Sequence, residues 1–399
     1  MMGKTRRVAI LGSSGSIGTQ TLDVIDRLIA AGRTFDVVAL ATGSSIDVLA
    51  DQTTRYRPRV ISVADEANAN ALRSRVADKT EVLHGADALV AIAEREDVDI
   101  LVNALYGSAG LPPTLAALAL GKTVALANKE SIVIAGATIH RLLREHGGTL
   151  LSIDSEHHAL HQCLHGHRVE DVERLILTAS GGPFLHRNPE TLSQVTPEDA
   201  LAHPSWSMGR KITVDSATMV NKAFEVIVAH HLYGVPYERI DVVIQPGSYV
   251  HSMVEFREGS IKAELGPRDM RIPIQNLLID PERVDTGFPR LRFESPLTLE
   301  FLPFEESRFP AFTTVIEAAQ DGGSALAAMN GADEALIARF LDREIPFPAI
   351  ADGLAAVLNH WRSERKDDAG EDTLTLPELL AVDAWARDLS QHLSFERPV

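Results

Sequence analysis

Cysteine is almost missing from this chain of 399 residues: Cys163 stands alone, which rules out an internal disulfide. Positive charge is in deficit, with 38 Lys and Arg against 55 Asp and Glu, a net charge of −17. That balance opposes binding to nucleic acid or to an anionic membrane except through a local basic pocket, and leaves small anions as candidate substrates. No apolar run approaches the length of a membrane span. Met1 to Arg7 lead straight into a strand-like segment without the apolar core of a signal peptide, so a cytoplasmic location is expected. What the chain does have is length for roughly two to three domains and 45% apolar residues to fill their cores.

Short apolar runs alternate with helical patterns as far as residue 154: Val8 to Leu11, Val37 to Ala41, Val60 to Val63, Ile100 to Asn103, Val124 to Ala127 and Leu150 to Ile153. This is the rhythm of an α/β, doubly wound parallel sheet. The first run ends in Gly12-Ser13-Ser14-Gly15-Ser16-Ile17-Gly18 and feeds the amphipathic segment Gln20 to Leu28, an order that sets a pyrophosphate on a helix N-terminus. The second run ends in Ala41-Thr42-Gly43-Ser44-Ser45, with no acid before Asp47 to hold a ribose 2′-hydroxyl. NADP is favoured over NAD. The expected organisation is a Rossmann-like nucleotide domain over 1–154, a central α+β catalytic domain over 155–280, a proline-broken linker over 281–311 and a small helical domain over 312–399, with Ser363 to Asp372 a flexible loop.

The chemistry concentrates in two places. Asn221-Lys222-Ala223-Phe224-Glu225 opens a run patterned as a helix over 221–232, which sets Asn221 and Glu225 at i,i+4 and Lys222 at i,i+3 from Glu225. Asp154 and Glu156 are two apart at the end of an apolar run, so in an extended strand both point one way. Three carboxylates and a lysine suit a hard cation, Mg²⁺ or Mn²⁺, with one positive charge left for an anionic substrate. Each motif alone equally describes surface acids. Ser180-Gly181-Gly182-Pro183 makes a turn that presents N–H groups and a hydroxyl to a phosphate, with Ser216, Asn221 and Lys222 adding donors. The loop 203–211 carries Trp206 and Met208 among Gly and Pro, the composition of a lid, and Ser248 and His251 of the segment 245–251 are candidate pocket walls.

Two other chemistries are weighed and set aside. His157, His158, His161, His165 and His167 crowd eleven residues, and His157 and His161 have zinc-hydrolase spacing, but Glu156 precedes the first histidine instead of following it. Most of these histidines are expected on a solvated helix face. Cys163 lies in a helical pattern without a glycine turn or a cationic partner, unlike the nucleophile of aspartate-semialdehyde dehydrogenase-like proteins, and reads as buried and inert.

The ordered set of Gly12 to Gly18, Ala127 to Ser131, Asp154 to His157, Ser180 to Phe184 and His203 to Glu225, continued by Gln245 to Glu255 and Leu265 to Gln275, resembles the 1-deoxy-D-xylulose 5-phosphate reductoisomerase family essentially from end to end. The resemblance implies a homodimeric enzyme using NADPH and a divalent metal to convert a phosphorylated sugar in isoprenoid precursor synthesis. It implies Asp154, Glu156 and Glu225 as metal ligands, and Ser155, Lys129, His203, Ser248 and His251 in a substrate pocket with Ser180, Ser216, Asn221 and Lys222. Trp206 and Met208 form the lid. Gly15, Ser16, Ile17, Asn128, Lys129, Glu130, Gly209 and Met270 meet the nucleotide, beside Ser14, Gly43, Ser44 and Ser45. Departures are Ser14 in place of the usual Thr, Ser44-Ser45 where some members carry Lys or Asn, and Asn103 to Gly107 in place of a small apolar run. Two other functions stand beside this one, a different NADP-dependent, metal-assisted reductase of a phosphorylated substrate and a non-catalytic nucleotide sensor. Three converging carboxylates that repel one another without a metal count against the sensor.

Overall fold

The computed structural model describes residues 5–77, 79–206, 208–365 and 373–395, so part of the loop expected at 363–372 lies outside the described residues. Strands β1 (Arg6–Leu11), β2 (Phe35–Ala41), β3 (Val60–Val63), β4 (Glu81–His84), β5 (Ile100–Asn103), β6 (Thr123–Leu126) and β7 (Thr149–Ser152) form one sheet in the order β4-β3-β2-β1-β5-β6-β7. Every neighbour pair is parallel. Strands covered on both faces read as continuous apolar runs, which is why Val8 to Leu11 are wholly buried. β4 escaped the sequence reading because Glu81-Val82-Leu83-His84 is a half-exposed edge with two apolar residues. Strand order reverses between β1 and β5, and at this switch point β1 delivers its glycine turn.

The two compact units of the chain are not the expected domains. The first comprises 1–131, 139–154 and 269–289; the second comprises 132–138, 155–268 and 290–399. Helix Arg271–Ile279 belongs to the first because Ile274, Leu277 and Leu278 enter its core with Leu22, Ile25 and Leu28 of helix Ser16–Ala30. Arg271 also pairs with Asp23 at 3.0 Å. The segment 281–289 is therefore part of the nucleotide unit and not a free linker, since its Val284 and Phe288 pack on the same core.

In the second unit β8 (Val172–Ala179), β9 (Ile240–Ile244), β10 (Val250–Phe256), β11 (Ile261–Leu265) and β12 (Leu302–Pro303) form a mixed sheet in the order β11-β10-β8-β9-β12. The supposed linker thus also supplies an edge strand, β12, to β9. Residues 312–399 are not a separate domain either. Helix Pro310–Asp321 packs on helix Val220–Tyr233, and the Phe184 and Phe347 rings meet edge-on at 5.1 Å. Helix Ala325–Leu341 is buried nearly all round because its small residues admit neighbours closely. A Cβ on Gly331 would lie 2.1 Å from the carbonyl oxygen of Asp383 on helix Leu376–His392. Among the described residues no helix is long and apolar enough to cross a membrane.

Gly331→Ala therefore forces these two helices apart, at a cost of about 1–3 kcal/mol. A lower urea midpoint at unchanged m value is expected, and an unchanged midpoint would show that the helices part freely.

Candidate active site

β7 stops at Ser152, and Glu156 sits in the first turn of helix Ser155–Leu164. Asp154 and Glu156 are therefore not neighbours on one strand face, as expected from spacing, but flank a strand-to-helix turn, with Glu156 where the helix dipole favours an anion. Helix Val220–Tyr233 brings the rest. It starts at Met219, whose φ of 64° makes a sharp elbow with helix Arg210–Thr218. The expected i,i+4 and i,i+3 contacts are both made: Asn221 Nδ2 and Lys222 Nζ each donate to Glu225. Lys222 also donates to Glu156 Oε1 at 2.8 Å and to the Thr178 carbonyl at 2.5 Å. One carboxylate oxygen from each of Asp154, Glu156 and Glu225 lies within 4.8 Å of the others. Lys129 pairs with Asp154.

The charges explain how such a cluster persists inside a protein. Lys222 is 3% exposed and Glu225 1%, and buried ions survive only when paired. Burial works to lower the Lys222 pKa, but Glu156 and Glu225 outweigh it and hold the ammonium above its ordinary value. Three carboxylates against Lys129 and Lys222 leave one negative charge, which a divalent cation would turn into a net positive one. The donors are all carboxylate oxygens, the set that suits Mg²⁺ or Mn²⁺ and not Zn²⁺.

The histidine-rich helix does a different job from the one expected. His157 and His158 are buried, because the helix packs on β10, β11 and helix Val220–Tyr233 and not on solvent. His157 Nε2 donates to the Glu225 carbonyl at 2.9 Å, and the Tyr233 hydroxyl donates to the His157 carbonyl at 3.0 Å. These bonds lock together the two helices that carry Glu156 and Glu225. His165 and His167 lie exposed beyond the helix end. Burial pushes the Cys163 thiol up to about 11, which keeps it protonated and inert.

A second cluster gathers neutral polar groups. β8 runs into the Ser180 turn, where Gly181 and Gly182 have φ of +83° and +66° and therefore need glycine. His203 Nδ1 accepts the backbone N–H groups of Ser205 at 3.2 Å and Trp206 at 3.0 Å. That fixes the tautomer: Nε2 carries the proton and faces Ser180 Oγ and Ser216 Oγ, each at 3.1 Å. Burial lowers the His203 pKa, so a neutral N–H and two hydroxyls converge. Ser205 Oγ meets Ser248 Oγ at 3.2 Å, and the Trp206 ring lies 6.2 Å from that of His251. Ser205 is a polar contact the sequence reading passed over, although it stands within the lid loop between His203 and Trp206. Met208 is half-buried, Gly209 caps helix Arg210–Thr218, and Ser207 lies outside the described residues.

In the first unit a Cβ on Gly12 would lie 2.5 Å from the Ala104 carbonyl oxygen, and one on Gly18 would lie 2.2 Å from that of Gly12. The turn is thus fixed, and Gly15, the N-cap of helix Ser16–Ala30, makes no side-chain cap bond. The backbone N–H groups of Ser16 and Ile17 are left for an anion. Ser14 Oγ bonds Thr42 Oγ1 and so ties the turn to the end of β2, where Gly43, Ser44 and Ser45 are exposed. Asp47 is turned to Arg75 at 2.7 Å. Asn128 is wholly buried, donates to the Gly107 carbonyl at 2.9 Å and accepts from Ser131 Oγ. Glu130 accepts from Asn128 at 3.2 Å, so the pair braces this loop. Met270 packs against the first unit's core, and Tyr106 stands 73% exposed in the loop after β5.

Three family models cover this chain: 1-deoxy-D-xylulose 5-phosphate reductoisomerase over 8–136, its C-terminal domain over 150–233, and the DXP reductoisomerase C-terminal domain over 265–389. The chain belongs to this family. Reductoisomerases of Chlorobium phaeobacteroides and Chlorobium chlorochromatii are 44% and 46% identical to it, over 98% and 97% of this chain and 100% and 99% of theirs. Among solved structures, the Zymomonas mobilis reductoisomerase in complex with NADPH is 40% identical, with a TM-score of 0.88 over 97% of this chain and 98% of that one. A reductoisomerase in complex with NADPH, fosmidomycin and magnesium is 36% identical, with a TM-score of 0.89 over 96% and 97%. The family's α/β architecture is the one described above, and Asp154, Glu156, Lys222 and Glu225 all lie inside the second matched region.

Burial pushes the His251 imidazole down from 6.5 to about 4, with the Lys222 charge adding to it against the backbone groups of Gly266 and Pro267. Between these two values the unfolded chain binds the extra proton, so stability rises with pH there. About 3 kcal/mol is present in full above pH 6.5 and lost as pH falls through 4. His251→Asn should flatten the stability profile across this window, and an NMR titration of His251 with a midpoint near 6.5 would contradict the assignment.

Proposed function

We infer that this chain converts 1-deoxy-D-xylulose 5-phosphate, NADPH and a proton into 2-C-methyl-D-erythritol 4-phosphate and NADP⁺, a step of isoprenoid precursor synthesis. The observation that carries the reading is the buried set Asp154, Glu156, Glu225 and Lys222 in a chain that matches the reductoisomerase family over nearly its whole length. A divalent cation held by the three carboxylates, Mg²⁺ or Mn²⁺, supplies Lewis-acid polarisation of the substrate's oxygens, and NADPH supplies the hydride.

The residues of this chain do the rest. Ser180, His203, Ser216 and Asn221 hold the phosphate through neutral donors, and Lys222 adds a point charge. Since phosphate lies away from the reacting carbons, its binding energy is available to draw the loop 203–211 down and expel water. Trp206 and Met208 are the apolar face of that lid, and Ser155, Ser248, His251 and Lys129 line the pocket. Gly15, Ser16 and Ile17 take the pyrophosphate, and Ser44 and Ser45 sit where an acid would have excluded a 2′-phosphate. Glu130, Gly209 and Met270 complete the nucleotide contacts. A cytoplasmic homodimer belongs to the same reading, and β11, an edge strand with exposed Ile261 and Leu265, supports the dimer.

NADPH oxidation with 1-deoxy-D-xylulose 5-phosphate should require Mg²⁺ or Mn²⁺, stop on chelation and run much more slowly with NADH. No turnover by folded, NADPH-binding protein would send the search to another phosphorylated substrate. Glu225→Gln should lower kcat/KM by more than about a hundredfold while the NADPH dissociation constant is unchanged. Full activity in that variant would remove Glu225 from the metal site.

A further inference from the structure

Helix Arg210–Thr218 carries Ser216, yet its second residue is a cation, Lys211, at the end where the helix dipole disfavours positive charge. The reason lies in another helix. Lys211 Nζ donates to Asp215 Oδ2 at 2.8 Å, one turn on along its own helix, and pairs at 2.5 Å with Asp333 Oδ2 of helix Ala325–Leu341. It also lies 5.3 Å from the centroid of the Phe224 ring, the residue before Glu225. Asp333 is wholly buried, a placement that proteins tolerate only for a paired charge. The polar chain goes on behind it. Asn330 donates to Glu334 at 3.0 Å and to Asp383 at 2.6 Å, and Arg387 bridges Glu334 and Asp383 at 2.9 and 3.0 Å.

Lys211 and Asp215 occupy one face of their helix, and Ser216 follows Asp215 by a single residue, about 100° further round. Anchoring the 211/215 face therefore fixes the direction in which Ser216 points. We propose that Lys211 and Asp333 are positioning residues for the phosphate end of the substrate: their buried ion pair sets the rotation of helix Arg210–Thr218, and so the placement of Ser216 against Ser180 and His203. The C-terminal helices then take part in substrate recognition without touching substrate. This rests on reading Ser180, His203 and Ser216 as the phosphate cluster.

The test compares Asp333→Asn, Asp333→Glu and Ser216→Ala in the full-length enzyme. The readouts are KM for the phosphorylated substrate, Ki for inorganic phosphate as a competing anion, KM for NADPH, and melting temperature. Asp333→Asn is expected to raise the substrate KM and the phosphate Ki together, by about tenfold, with the NADPH KM unchanged. If Asp333→Asn melts early but keeps both anion constants, the pair is merely structural and the proposal fails. Should Asp333→Asn not fold, Asp333→Glu, which keeps the charge and displaces it, decides on the same two constants. Ser216→Ala separates the two readings. Raised constants in Ser216→Ala alone defeat only the positioning role, whereas unchanged constants in Ser216→Ala defeat the phosphate cluster and this proposal with it.

Discussion

The constraint on which the rest of this structure depends is the burial of Lys222 between two carboxylates. An ammonium out of water needs anions, and carboxylates out of water need a cation, so Lys222, Glu156 and Glu225 make one another possible. Those partners come from different helices, which means that helices Ser155–Leu164 and Val220–Tyr233 must be held in fixed register. The His157 bond to the Glu225 carbonyl and the Tyr233 bond to the His157 carbonyl provide that register, and Thr178 on β8 gives the third contact of the ammonium. A site of this kind is poor at holding proteins together and good at presenting a charge pattern that water would otherwise screen.

The two clusters of the second unit divide the electrostatic work. The carboxylates offer oxygen donors and an excess of one negative charge over Lys129 and Lys222. The Ser180–His203–Ser216 group offers neutral donors, its imidazole held uncharged by burial and by two backbone N–H groups on Nδ1. Neutral donors hold an anion without the desolvation cost of another buried cation. The same economy governs the nucleotide turn, where backbone N–H groups at a helix N-terminus take the place of side-chain charges.

Much of this was legible in the residues. Periodicity and the Gly12 to Gly18 turn identified a parallel sheet, because strand burial and a close backbone approach each restrict residue type locally. The spacing of Asn221, Lys222 and Glu225 gave their contacts, since i,i+3 and i,i+4 neighbours follow from helix geometry alone. Where the reading erred, a distant partner had decided the outcome. His157 and His158 looked like a solvated face because their cover, β10, β11 and helix Val220–Tyr233, is far away in sequence.

The unit boundaries make the same point at larger scale. Proline spacing correctly excluded a long helix over 281–310 but could not tell that Leu302–Pro303 pairs with β9 or that Phe288 packs on the nucleotide unit's core. By itself the sequence determined most of the elements of the parallel sheet, the residue types they carry, and the family. Only the tertiary structure decided which of those side chains meet: Lys222 with Glu156, Lys129 with Asp154, His203 with Ser180 and Ser216, and Lys211 with Asp333. The physical reason is range. Backbone propensity and periodicity act within a turn or two, whereas buried charges and hydrogen bonds are satisfied by whichever group the packing of remote elements brings within about 3 Å.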